Sequence, residues 1–258
     1  MADNEQMSFE FMERKPIKGY PELHWTGKRP YKSTVYYPAQ LKEVYGESKN
    51  DWLNKIFWGD NLQVMSHLLK DYRGKIDLIY IDPPFDSKAD YKKKIKLKGK
   101  EVSNDQSTFE EKQYGDIWTN DEYLQFMYER LVICKELLSD TGSIYVHMDE
   151  KRVHYIRLLM DEIFGQGNFR REIVWDITVL SGFKSQAQNW IRGHDVVLYY
   201  AKNADNVRYN KLYQPQSKKY LSRFNKIDDQ GRRYFDGRGE RRYLDDVIKK
   251  GKPFGDVW

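Results

Sequence analysis

The sequence predicts an α/β fold built on a mostly parallel, doubly wound sheet, and three features carry that expectation. Ile76 to Ile81 is short, β-branched and aromatic, with Gly74 before it and Pro83-Pro84 after it, as expected of a buried parallel strand. Leu124, Met127, Leu131, Cys134 and Leu138 recur at spacings of 3, 4, 3 and 4, which lines one face of a helix. Between Ile56 and Tyr200, strand-like and helix-like runs alternate with short connections, the pattern of a sheet whose strands are joined by crossover helices.

Residues 1–50 form a polar extension with Pro16, Pro21, Pro30 and Pro38 and weak periodicity, read either as wrapping the core or as partly disordered. Residues 51–204 form the core. Ile56 to Trp58 reads as a short strand, and Asp60 has the side chain to cap a helix whose Leu62, Met65, Leu68 and Leu69 share a face. The strand 76–81 follows. Asn120 is placed to cap the helix that carries the 3-4 stripe, Gly142 punctuates it, and Ser143 to His147 reads as the next strand. Val153, Ile156, Met160 and Ile163 line another helical face before Gly165. Strands near Glu172 to Ile177 and Asp195 to Tyr200 close the core, with antiparallel pairing allowed for these last ones. Beyond Asn203 the pattern dissolves, and 205–258 is a separate region rich in Tyr, Lys, Arg and Asp.

With 40% hydrophobic and 32% charged residues, the 258-residue chain can bury one sizeable core. No run approaches ~18 apolar residues, and the start lacks a basic segment followed by an apolar one, so a cytoplasmic protein with no membrane partner is expected. One cysteine excludes an internal disulfide and a multi-thiolate metal site. The five histidines show no metal-ligand spacing, so no metal is expected. The net charge of +5 is segregated: Lys88 to Lys100 carries +6, Asp205 to Trp258 another +6, and the remainder sums to −7. Segregated basic residues suit phosphate contacts, with Lys92, Lys93, Lys94 and Lys96 in the first segment. The plainer reading of that segment is a solvated loop. In the second segment Arg232, Arg233, Arg241 and Arg242 interleave with tyrosines, a mixture that suits phosphate and base-edge contacts or, more plainly, a twisted surface sheet with solvated edges.

Asp82-Pro83-Pro84-Phe85 is the sharpest local signal. Strand ends of such sheets face a ligand crevice. Proline carries no N–H, and the residue before it is held extended, so the segment presents a carboxylate and carbonyls with few competing donors. The Asp82 carboxylate and the Pro83 carbonyl can each accept one hydrogen of an NH2 group while Phe85 stacks on its ring, which describes a flipped nucleobase held by its edge. The alternative is a rigid turn with Phe85 packed in the core.

Together with its neighbours this tetrapeptide resembles the signature of the beta-class amino-methyltransferases of DNA, including the modification subunits of type III restriction systems. The neighbours are Phe57-Trp58-Gly59-Asp60-Asn61-Leu62, Leu137 to Ile144, Asp161-Glu162-Ile163-Phe164-Gly165, Asn168-Phe169 and Ile173-Val174-Trp175, so the likeness runs from Trp52 to Asn203. It implies a Rossmann-like methyltransferase sheet, S-adenosylmethionine as cofactor and methylation of adenine N6 in double-stranded DNA with a flipped base. Cytosine N4 is the alternative target, and a catalytically silent DNA-binding fragment or partner subunit the alternative role. Asp82, Pro83, Pro84 and Phe85 are the implied catalytic residues, and Asp60, Asn61 and Asp82 the implied cofactor contacts, although Asp60 has a rival role as a helix cap. A restriction subunit is the implied partner, a homodimer is allowed, and 205–258 begins the target-recognition region. The family's glycine-rich cofactor motif, Asp-Pro-Phe-x-Gly-x-Gly, is absent, so the chain is expected to be the N-terminal portion of a longer enzyme, inactive alone. Cys134, on the apolar face of its helix, is expected in the core rather than as a nucleophile. His147 and Asp149 end a strand on the catalytic side, where a supporting role competes with a structural one. Tyr114 to Trp118 are implied at the pocket mouth.

Overall fold

The computed structural model describes residues 6–12, 19–47, 53–84, 120–177, 188, 190–237 and 239–258, with the backbone of 95–97 and 100–102. The chain divides into two compact units, Met1–Val207 and Arg208–Trp258.

In the first unit, β1 (Ser8–Glu10) pairs antiparallel with β2 (Ser33–Val35). Phe11 and Trp25 are buried in the core clusters, so the described part of the extension packs on the core. Lys28 fixes it there: its Nζ lies 2.7 and 2.9 Å from the Glu162 carboxylate oxygens and 4.7 Å from the Trp25 ring centroid.

Ile56 to Trp58, expected as a strand, is not one. Ile56 is 98% exposed and no strand among the described residues offers it a ladder. The next element is α1 (Asn61–Tyr72), which a short turn connects to β3 (Ile76–Ile81). Part of the lysine segment forms an antiparallel hairpin of β4 (Ile95–Leu97) and β5 (Lys100–Val102) instead of a loop. The alternation Lys94-Ile95-Lys96-Leu97-Lys98 has the period of a strand, which explains the difference. Lys92, Lys93, Lys94, Phe85 and Tyr114 to Trp118 lie outside the described residues.

α2 (Asn120–Leu137) buries Leu124, Met127, Leu131 and Cys134 and runs straight into β6 (Leu138–Met148). α3 (Val153–Phe164), β7 (Phe169–Asp176) and β8 (His194–Ala201) follow. The sheet order is β3-β6-β8-β7. Among the described residues only β3 and β6 pair in parallel, so the sheet is mixed and not mostly parallel. The reason is that β8 inserts between β6 and β7, antiparallel to both. Its buried run Val196 to Ala201 reads like a parallel strand because it is covered on both faces. Gly142 permits the close approach of β6 to β3: a Cβ there would lie 2.8 Å from the Ile76 carbonyl oxygen.

Alternation gives the sheet two unlike faces. Ile79, Ile81, Ile144, Val146, Met148, Val196, Leu198 and Tyr200 meet the layer of α1, α2 and α3 in the main core. The second face carries Tyr145 stacked on Tyr199 at 4.5 Å, with Val197 and Ile173. Leu78 and Tyr80 point the same way and are 61% and 60% exposed. Of the two helical layers a doubly wound sheet requires, the described residues supply one.

In the second unit β9 (Tyr213–Gln214) pairs with β13 (Lys252–Pro253). A short α4 (Lys218–Leu221) precedes an antiparallel sheet of β10 (Lys226–Ile227), β11 (Arg233–Gly237) and β12 (Glu240–Tyr243), and α5 (Leu244–Lys250) follows it. Phe224 is fully buried and meets the Tyr220 and Phe235 rings at 5.5 and 5.9 Å.

Candidate active site

The carboxyl ends of β3 and β6 lie side by side, because Ile81 pairs with Val146. Asp82 follows directly on β3 with its side chain 56% exposed, beside buried Pro83 and half-buried Pro84. Asp82 therefore sits where a parallel pair opens, with an accessible carboxylate on a backbone stiffened by proline. His147, next to Val146, places Nδ1 3.2 Å from Asp82 Oδ1. The Tyr80 phenol, on the same face, is held above its ordinary pKa by partial burial and then by the Asp82 charge.

Asp60 does cap its helix, as its rival role required. Its Oδ1 accepts from the backbone N–H of Leu62 at 2.9 Å and of Gln63 at 3.2 Å. α1 then returns to β3 through a short turn and α2 continues directly into β6, so both helices run opposite to the strands they precede. The start of α1 accordingly lies toward the same end of the sheet as Asp82. The start of α2 does too, where Arg152 Nη1 donates to Asn120 Oδ1 at 2.7 Å just beyond β6.

Arg130 organises this end, a role that the sequence pattern alone did not single out. From α2 it donates through Nε to Asn61 Oδ1 at 2.5 Å, through Nη2 to Asp60 Oδ2 at 3.2 Å and through Nη1 to the Phe126 carbonyl at 3.1 Å. Its guanidinium lies 3.4 Å from the Phe126 ring centroid. One signal was present: a charged residue directly beside Leu131, at the edge of the apolar stripe, where a side chain drawn inward needs buried partners. Asp149 has a structural role, its Oδ1 accepting from the N–H of Lys151 and Arg152 at the entry to α3. Cys134 is buried against Met65, and burial pushes its thiol up to about 12, which suits the core role expected of it.

In the second unit the four arginines do not form one patch. Arg232 lies 3.9 Å from the Tyr243 ring centroid and Arg241 4.1 Å from that of Tyr234, on one face of the sheet. Arg233 and Arg242 alternate onto the other, where Arg233 Nε donates to the Phe224 carbonyl at 2.9 Å. On the first face Lys226 donates to Asp236 at 2.8 Å and holds its carboxyl below the usual range. Lys96 is placed in β4 by its backbone.

Residues 76–258 match the model of a family described as DNA methylase, of the N6/N4 type. The chain is 30% identical over 198 residues to the Mod subunit of the type III restriction-modification enzyme StyLTI of Salmonella typhimurium, covering 74% of this chain and 29% of that protein. It is 33% identical over 203 residues to the EcoPI Mod subunit of Escherichia phage P1, covering 71% and 30%. To the type II methyltransferase M.EcaI of Enterobacter cloacae it is 29% identical over 178 residues, covering 69% and 36%. The chain spans about a third of the length of these curated relatives. On the match across residues 76–258, with Asp82-Pro83-Pro84 standing at the end of β3, the chain belongs to the N6/N4 DNA methylase family.

Proposed function

We propose that this chain carries the target-base site of an S-adenosylmethionine-dependent methyltransferase acting on adenine N6 in DNA. The observation that carries the reading is the Asp82 carboxylate, exposed at the end of a parallel strand pair, fixed on one side by His147 and followed by two residues without N–H groups. That geometry is built to accept hydrogen bonds from an exocyclic amino group. The Asp82 carboxylate takes one N–H and the Pro83 carbonyl the other, and Phe85 is assigned to stack on the base. Drawing both hydrogens toward acceptors frees the nitrogen lone pair from the ring and turns it out of the base plane, toward the side on which a methyl donor would be held. The protein's contribution is then positioning and electrostatics, which can supply several of the ~7 to 11 kcal/mol available from orientation. The proton released in the reaction passes to an Asp82 oxygen or to solvent.

S-adenosylmethionine, when bound, supplies an electrophilic methyl group on a positively charged sulfur. The residues present suit it by their acceptor chemistry. The Asp60 side chain keeps 33% of its surface exposed after its cap and Arg130 contacts, leaving it open to an amino or hydroxyl donor. Asn61 is oriented beside it by Arg130. Lys92, Lys93, Lys94 and Lys96 and the arginine-tyrosine face of Arg232 and Arg241 are assigned to phosphate contacts on DNA. The Mod relatives support a restriction subunit as partner.

The test is methyl transfer from labelled S-adenosylmethionine to duplex DNA by the full-length gene product, followed by digestion to nucleosides. Label in N6-methyladenine is the expected result. Label in N4-methylcytosine moves the target to the other base that the family description covers, and no label in DNA refutes the reading.

A further inference from the structure

Strand register lays a row of side chains across three strands on the second face of the sheet. Asp82 and His147 emerge together because Ile81 pairs with Val146. His147 pairs with Val197, so Asp195, two residues earlier on β8, projects from the same face. His147 Nδ1 is 3.2 Å from Asp82 Oδ1, and its Nε2 is 3.5 Å from Asp195 Oδ2. Asp195 Oδ1 is paired with the Arg192 guanidinium, whose Nε lies 2.9 Å from Glu150 Oε2. Exposure falls along the row, from 56% for the Asp82 side chain to 18% for His147 and 11% for Asp195. The imidazole therefore stands between two carboxylates, nearer to the accessible Asp82 and at ion-pair range from the buried Asp195.

We propose that His147 is a positioning residue that fixes the Asp82 carboxylate, with its ring seated beside Asp195; this rests on the reading of Asp82 as the acceptor of the target amino group. The prolines after Asp82 fix its backbone but leave its side-chain torsions free. An N–H at Nδ1 that engages Oδ1 removes that freedom and leaves Oδ2 for the substrate. Neither His147 nor Asp195 needs to touch the base.

Two near-isosteric substitutions separate the two ends of the ring. Asparagine places its amide nitrogen where Nδ1 stands, and glutamine places its own where Nε2 stands. His147→Asn keeps the contact to Asp82, whereas His147→Gln keeps the contact to Asp195. The full-length gene product is assayed with labelled S-adenosylmethionine and duplex DNA, with thermal unfolding measured in parallel. His147→Gln and His147→Ala are expected to lower kcat about 10-fold or more while KM stays within about 2-fold, the signature of a misplaced group. His147→Asn is expected to retain activity within about 3-fold, by restoring the Asp82 contact. Nitrogen NMR supplies a reading without turnover: Asp82→Ala shifts the Nδ1 resonance of His147, and Asp195→Ala shifts Nε2. Equal losses for Asn and Gln, or losses confined to KM or tracking the melting temperature, overturn the assignment while leaving the function of Asp82 standing. A wild-type protein that transfers no methyl group to DNA overturns both.

Discussion

Replacing Arg130 by methionine keeps the aliphatic stem and removes the guanidinium, and its cost can be worked from the hydrogen bonds. The Arg130 side chain is 10% exposed and gives up hydrogen bonds to Asp60, Asn61 and the Phe126 carbonyl. Hydrogen bonds to charged groups contribute ~1.5–3 kcal/mol each, and breaking a buried pair costs ~3–5 kcal/mol. Asp60 is 33% exposed and keeps its cap on α1, so water replaces part of what it loses. A cost of ~2 kcal/mol follows once that solvation is allowed for. In thermal unfolding this is a fall of ~4–8 °C for a chain of this size. Under the proposed function the same change loosens Asn61 and lowers S-adenosylmethionine affinity in calorimetry. A loss below ~0.5 kcal/mol, the range of an ordinary surface substitution, refutes the claim that Arg130 organises this end of the sheet.

Gly142→Ala drives a Cβ to within 2.8 Å of the Ile76 carbonyl oxygen and is expected to cost ~2 kcal/mol or more in urea unfolding, since backbone must shift to relieve it. Cys134, buried with its thiol pushed up to about 12, is expected to resist thiol-specific reagents at pH 8 and to react at once in denaturant. The sign of its pH effect is also set: above pH 9 the unfolded thiol ionises and the folded one does not, so Cys134 lowers stability as pH rises from 9 toward 12. Neutralising Lys92, Lys93, Lys94 and Lys96 is expected to flatten the dependence of log Kd for DNA on log salt by up to ~0.9 for each phosphate left without a lysine, and an unchanged slope removes this segment from the interface.

Much of the helical layer was legible because its signal is local. The Asp60 cap, the 3-4 stripe of α2 and the apolar face of α3 depend on residues within a turn or two of each other. The short run Ile76 to Ile81 was legible for the same reason. Strand direction was legible only as an allowance for antiparallel pairing of the last strands: β8 is a central antiparallel strand whose unbroken apolar run imitates a parallel one. Ile56 to Trp58 has strand composition but no partner to complete a ladder among the described residues. The site divides in the same way. Asp82, its prolines and Phe85 announce themselves in four consecutive residues, whereas the approach of His147 to Asp195 depends on the register of two antiparallel strands. The pairing of Arg130 with Asp60 depends on the packing of α2 beside α1. Such juxtapositions are set by tertiary geometry and leave little trace in local composition.

The most direct test of the account is methylation by Asp82→Ala measured beside its affinity for DNA. If Asp82 holds the target amino group, turnover falls by about 100-fold or more while Kd for duplex DNA stays within about 3-fold, because the missing interaction acts on positioning and not on the phosphates. Methylation at the wild-type rate would contradict it.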